Sequence, residues 1–317
     1  MRHSGVRSFS RRDILALAAG AGAAIAAGEN AAAITVPFSA GSEAAKTKAP
    51  PNAADCHHHI YSSRFKVDPN SVLRPADASV EDYRLLQKRI GTSRNVIVQP
   101  STYGIYNDGL VETLKAFGPS ARGVAVVNTN VSDAELKALN EAGVRGIRFN
   151  ILTPGGATSL DMVAPLSKRI APMGWHIQVH ASADMIAQNK DLWNSVPCDV
   201  VFDHLGHLQA LGTSHAAFGV MTGLLQKGKG WVKLSGAYMD TKVGPPTYAD
   251  STSVAQAFVK EAPERLVWGS DWPHPTEKAD NKPDDAILFD LLAVWAPDEK
   301  VRNRILVDNA AKLYHFG

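Results

Sequence analysis

The chain is short of cysteine, of net charge and of long apolar runs, and each shortage excludes something. Cys56 and Cys198 are its two cysteines. They fall on segments read below as the first and sixth strands, which are not neighbours in an eight-stranded barrel, so no disulfide is expected between them. Lys and Arg number 33 against 31 Asp and Glu. Setting aside residues 1–33, with four arginines, Asp13 and Glu29, leaves 29 basic and 29 acidic side chains. A neutral body excludes a nucleic-acid footprint, which needs Lys and Arg gathered on one face. The apolar run Ile14–Ala27 is too short and too rich in glycine for a membrane span, which takes about 20 apolar residues. Internal repeats are absent, and no glycine-rich phosphate loop follows the first strand, which argues against an open dinucleotide-binding sheet.

Two basic residues, Arg11 and Arg12, stand directly before that apolar run, and small residues suited to a signal peptidase lie at Ala24–Ala26 and Ala31–Ala33. Residues 1–33 thus resemble a twin-arginine export signal. The expectation is a periplasmic protein, free of the membrane once the signal is removed, and a cytoplasmic one if the signal is not used. Residues 34–53, rich in Ala, Ser, Lys and Pro, read as a linker ahead of the fold.

From Ala54 to Gly317, short apolar runs alternate with longer segments of helical period, as expected for parallel strands joined by crossover helices. Eight strands are predicted, over 54–60, 95–100, 122–128, 144–151, 175–181, 199–205, 231–236 and 265–271. The runs at 96–98 and 124–127 are continuous rather than alternating, as strands covered on both faces should be. Helix starts are predicted at Ser79, Ser132, Ser159 and Ser251, the second with Glu135 in a capping-box pattern. Glycines 91, 118, 143, 174 and 230 are placed at helix ends. Eight such units in a single domain of this size describe a closed (β/α)₈ barrel.

On the first strand the period of two puts Asp55, His57 and His59 on one face, with Cys56 and His58 on the other. Two imidazoles at that spacing can grip one cation, although a pair of hydrogen-bonded core histidines would look the same. His180, His204 and Asp271 end the fifth, sixth and eighth strands. All five groups therefore fall at strand C-termini, the face on which such barrels assemble their active sites. Unrelated core histidines have no reason to choose the same end, so a shared metal or catalytic site is expected. Arg148, inward on the fourth strand, calls for an anionic partner, either a substrate carboxylate or a structural Asp or Glu.

These residues sit in the motifs Asp55-Cys-His-His-His59, Gly146-Ile-Arg-Phe-Asn150, Gln178-Val-His180, Phe202-Asp-His-Leu-Gly206 and Val267-Trp-Gly-Ser-Asp-Trp-Pro-His274. Together they resemble the amidohydrolase superfamily, in its branch of 2-pyrone-4,6-dicarboxylate, sulfomuconolactone and sugar-acid lactone enzymes, over residues 53–316. The resemblance implies His57, His59, His180 and Asp271 as the metal set, with His204 and Asp271 catalytic. It implies Arg148, Ser101 and His207 as contacts to the anionic groups of a substrate. Arg148 and Asn150 stand where binuclear members carry a bridging Lys or Glu, so one Zn²⁺-like ion is expected rather than two. The resemblance also implies a metal-independent branch without a histidine on the fifth strand, where this chain has His180.

The implied activity is a lactonase, a hydrolase of carboxylic ester bonds acting on a small anionic lactone. Asp271 would take a proton from the attacking water and return it to the leaving oxygen, with His204 on the developing oxyanion. If no metal is bound, Asp271 is the sole base. Other readings of the same site are a metal-dependent decarboxylase of an aromatic or unsaturated acid, a sugar-acid lactone isomerase, and a periplasmic binding barrel without turnover. Exposed apolar helix faces could support a homodimer. His58 and His274 receive no role.

Overall fold

A computed structural model describes Met1 and residues 33–152 and 156–317. The body of the expected export signal, residues 2–32, lies outside the described residues. Among these residues eight parallel strands follow one another in sequence order: β1 Ala54–His58, β2 Arg94–Val98, β3 Ala121–Ala125, β4 Val144–Asn150, β5 His176–His180, β6 Val200–Phe202, β7 Gly230–Leu234 and β8 Leu266–Trp268. Each predicted strand overlaps an observed one, but β1, β6 and β8 end at His58, Phe202 and Trp268, so His59, His204 and Asp271 lie in the connections just past them. The barrel is closed just past the end of β8, where Asp271 N donates to His57 O at 2.7 Å and His59 N to Trp272 O at 2.8 Å. Gly269 makes this approach feasible, because a Cβ there would stand 2.6 Å from His57 Cβ. No described helix is long and apolar enough to cross a membrane.

Alternation along the strands separates two cores. Ile97, Ile147, Phe149, Ile177, Val179, Val200, Phe202, Leu234 and Trp268 face outward into the main core with the helices. Ala54, Cys56, Val96, Val98, Val124, Val201, Trp231 and Val267 face inward with Leu313, Tyr314 and Phe316 of the C-terminal segment. These residues fill the interior at the N-terminal end of the strands, so that end is a packed plug. At about 25 cal/mol per Å² of buried apolar surface, such burial is the main source of the barrel's stability.

Strict alternation fails in β1, whose register against β2 shifts between Asp55 and His58. An extra residue turns neighbouring side chains to the same face. Cys56 and His57 therefore both point inward, and Asp55 leaves the face predicted for it. Its carboxylate accepts from Ser270 Oγ at 2.6 Å and Tyr83 hydroxyl at 3.0 Å instead. Burial pushes the Asp55 carboxyl up to about 6 against these hydrogen bonds. His58 does face outward, stacked on Tyr83 at 3.6 Å and bonded to Asn95. Both cysteines are free and buried.

The helix Val80–Ile90 starts in a reciprocal capping box between Ser79 and Asp82 and ends at Gly91 in the left-handed region. Ser132 caps its helix through Glu135 N, at 3.1 Å. Two of the expected helix boundaries are corrected. Ser251 lies inside the helix Ala249–Glu261, its hydroxyl bonded to Ala237 O, and Gly230 begins β7 while Gly228 takes the positive φ.

Residues 34–53, predicted as a linker, contain no helix or strand but are packed as a strap, since their backbone carbonyls have found fixed donors. Arg89 donates to Glu43 O at 2.8 Å and to Ala40 O at 2.9 Å, and pairs with Asp284 at 2.7 Å. Trp272 Nε1 donates to Pro37 O at 2.7 Å, and Phe38 meets the indole edge-on.

Candidate active site

Left-handed backbone gathers the functional side chains at the strand C-termini. His204, His207 and Asp271 have φ of 50°, 57° and 62°. Non-glycine residues there cost on the order of 1–2 kcal/mol each, a cost the surrounding packing must hold in place.

Three side-chain atoms converge. His57 Nε2 and His59 Nε2 are 3.3 Å apart, and each is 3.4 Å from Asp271 Oδ1. The far ring nitrogen settles the tautomer of His59. His59 Nδ1 lies 2.8 Å from Val98 O, which can only accept, so that nitrogen carries the hydrogen and Nε2 is bare. His57 Nδ1 lies 3.3 Å from Asp203 Oδ1, an acceptor, and equally 3.3 Å from Lys233 Nζ, a donor, so its partners do not select one tautomer. Burial, helped by the Lys233 ammonium, holds His57 well below the usual histidine range and therefore neutral. Burial alone would raise the Asp271 carboxyl, yet it is held well below the usual range, and its Oδ2 accepts from the Tyr238 hydroxyl at 2.6 Å.

With the His57 hydrogen on Nδ1 the three atoms meet lone pair to lone pair, an arrangement that a cation would join; with it on Nε2, His57 donates to His59 Nε2. Tetrahedral ligands at the zinc distances of about 2.0–2.1 Å stand about 3.3–3.4 Å apart, the spacing seen here. His57, Asp203 and His204 form a second, looser group that could hold an ion. Asp203 is already engaged by Arg148 Nε at 3.1 Å, Gln178 Nε2 at 3.1 Å and Lys233 Nζ at 3.7 Å, so the first group fits better.

His180 stands outside the triangle. Its Nδ1 accepts from Arg148 Nη2 at 3.2 Å, so the hydrogen sits on Nε2, which is buried without a partner among the described residues. A nitrogen so protonated is a hydrogen-bond donor and not a metal ligand. His204 Nε2 is 3.8 Å from Asp271 Oδ1, with its Nδ1 on Ser235 Oγ at 2.9 Å. His207 stacks on His180 and is held by Asp240 at 2.6 Å. His59, His180, His204, Asp271, Arg148 and Ser101 all line one cavity of about 260 Å³. Ser101 Oγ accepts from Asn150 at 2.6 Å. Of the two partners foreseen for Arg148, the structure shows the structural one, Asp203, paired through Nε at 3.1 Å; the guanidinium also lines the cavity.

Beneath these groups lies Lys233, fully buried, whose ammonium donates to Cys56 O at 2.9 Å and Gln178 Oε1 at 2.7 Å. Burial lowers it to about 8, opposed by Asp203. Sequence reasoning gave no role to Asp203, Lys233 or Tyr238, whose hydroxyl donates to Asp271 Oδ2 at 2.6 Å. A lysine at an inward position of the apolar run 231–234 could have flagged the buried pair. Tyr238, on an irregular loop, offered no signal.

The comparisons agree with this architecture. Residues 54–316 match the family model described as Amidohydrolase. The 2-pyrone-4,6-dicarboxylate hydrolase of Comamonas testosteroni is 34% identical over 279 residues, 84% of this chain and 91% of that protein. The 4-sulfomuconolactone hydrolase of Rhizobium radiobacter is 32% identical over 273 residues, 84% of this chain and 90% of its own. A crystal structure of a probable 2-pyrone-4,6-dicarboxylic acid hydrolase from Acinetobacter baumannii, with citric acid bound, superposes with a TM-score of 0.70 at 25% identity, covering 84% of this chain and all of that one. With a barrel of eight parallel strands, ionisable groups at the strand ends and a family match over nearly all of 54–317, the chain belongs to the amidohydrolase family.

Proposed function

We propose that this protein hydrolyses the ester bond of a small anionic lactone, using one divalent ion, Zn²⁺, held by His57, His59 and Asp271. The observation that carries this reading is the triangle of three ligand atoms at tetrahedral zinc spacing, beside a cavity that Arg148 also lines. When bound, the ion supplies Lewis acidity toward an ester carbonyl and lowers the pKa of water toward neutrality.

The side chains do the rest. Arg148, with Nε on Asp203 and Nη2 on His180, leaves Nη1 without a protein partner among the described residues, a charged donor for a substrate carboxylate. His180 Nε2–H and Ser101 add donors along the same wall. Asp271 accepts the proton of the attacking water and returns it to the ring oxygen as the ester C–O bond breaks. His204 donates to the oxygen on which charge develops. The reading is supported by relatives named for lactone hydrolysis and by a neighbour with a tricarboxylic acid bound. His207, turned to Asp240, serves at the rim rather than as the main anion contact.

The test is metal analysis of the purified protein, with product masses from a panel of carboxylated lactones. Hydrolysis adds one water, decarboxylation removes carbon dioxide, isomerisation leaves the mass unchanged, and a binding protein returns the substrate. Metal-free protein with any result but the first ends the proposal. We also infer periplasmic work from the Arg11-Arg12 signal; replacing both by lysine should leave the protein in the cytoplasmic fraction.

A further inference from the structure

His274 and Asp285 have no part in the chemistry above, yet both are fully buried and hydrogen-bonded in line with Asp271. Tyr238 hydroxyl donates to Asp271 Oδ2 at 2.6 Å. That hydroxyl oxygen lies 3.1 Å from His274 Nδ1, and His274 Nε2 lies 3.1 Å from Asp285 Oδ2. The direction of the chain follows from proton counting. Tyr238 spends its one hydrogen on Asp271, so its oxygen can only accept, and His274 Nδ1 must carry a hydrogen. This holds whether the His274–Asp285 pair is neutral or ionic.

The far end is anchored as well. Lys282 Nζ donates to His274 O at 2.6 Å, holding a residue whose φ is 53°. Asp285 opens the helix Asp285–Trp295, and its backbone N–H donates to Ser39 Oγ of the strap at 3.2 Å. Burying three polar side chains in a row is costly, and their mutual hydrogen bonds order them into one arrangement, with Asp285 Oδ1 the one of their polar atoms left without a partner among the described residues.

We propose that Asp285, His274 and Tyr238 are positioning residues that hold Asp271 by Oδ2, so that only Oδ1 is presented to His57, His59 and His204. A carboxylate free to rotate would offer either oxygen, in the plane of the metal set or out of it. The inference rests on the role proposed above for Asp271. Outer partners of metal ligands typically matter by about 10–100-fold in affinity or rate.

The experiment reads zinc affinity of metal-stripped protein by chelator competition, together with kcat and KM on the best lactone. Tyr238→Phe should weaken zinc and lower kcat by about 10–100-fold, with KM within about 3-fold. His274→Phe should do the same, whereas His274→Asn, whose amide can replace the Nδ1 donor, should stay within about 3-fold of wild type. Because His274 acts through Tyr238, the double variant Tyr238→Phe/His274→Phe should be no worse than Tyr238→Phe alone. Additive losses, or thermal destabilisation with zinc affinity unchanged, would overturn the chain while leaving the lactonase reading intact. A wild-type protein that neither binds zinc nor opens any lactone would overturn both.

Discussion

Two histidines four residues apart on β5 point into the same barrel and meet opposite fates. His176, at the N-terminal end of the strand, packs edge-to-face on Tyr314 at 5.2 Å, and neither ring nitrogen has a partner among the described residues. Burial pushes it down to about 3, so it is a neutral aromatic filler. His180, at the other end, is oriented by Arg148 and lines the cavity. Height along the strand, rather than residue type, separates packing from chemistry here. Between them lie Gln178, Lys233 and Asp203, a buried polar layer dividing the apolar plug from the site.

The sharpest way to break this comparison is at its upper end. Asp271→Asn should lower kcat for lactone opening by about 10³–10⁴-fold, with a thermal midpoint close to wild type; unchanged turnover would remove the site from the mechanism. The middle layer should respond in stability. Lys233→Met strands Gln178 Oε1 and Cys56 O and removes the cation nearest Asp203 Oδ1, and should cost about 3–5 kcal/mol in urea unfolding. A smaller kinetic effect is expected for Arg148→Lys, where loss of the free Nη1 donor should raise KM about 10-fold with kcat little changed.

The lower end should give the smallest effect. His176→Phe should lie within about 1 kcal/mol of wild type at pH 7, since no hydrogen bond is lost. Its pH dependence carries a sign. The folded-state pKa of about 3 is below the unfolded value of 6.5, so the unfolded chain binds the extra proton in between. Stability is therefore complete above pH 6.5 and falls as pH drops toward 3, at up to about 1.4 kcal/mol per unit for each such group. Urea midpoints at pH 7 and 4.5 should converge in His176→Phe relative to wild type, with His58, also near 3, keeping its own share.

All eight strands were legible because barrel strands buried on both faces must be short, apolar and regularly spaced. His57, His59, His204 and Asp271 were legible for a different reason: ionisable side chains at strand ends are rarely mere packing. What escaped depends on contacts that no local pattern encodes. The β1 bulge that turns Cys56 inward arises from pairing with β2. His180 was expected among the metal ligands, but its tautomer is set by Arg148, a strand away. Tyr238 reaches Asp271 from a loop without periodicity, and the strap 34–53 is held through main-chain carbonyls, to which composition is blind.

That strap has a practical consequence. The family match begins at residue 54, and a gene trimmed to that boundary would look complete. It would nevertheless strip the acceptor from the indole of Trp272, the residue directly after Asp271, and leave Arg89 without the carbonyls it holds inside the protein. Twenty residues of unremarkable composition therefore belong to the working enzyme.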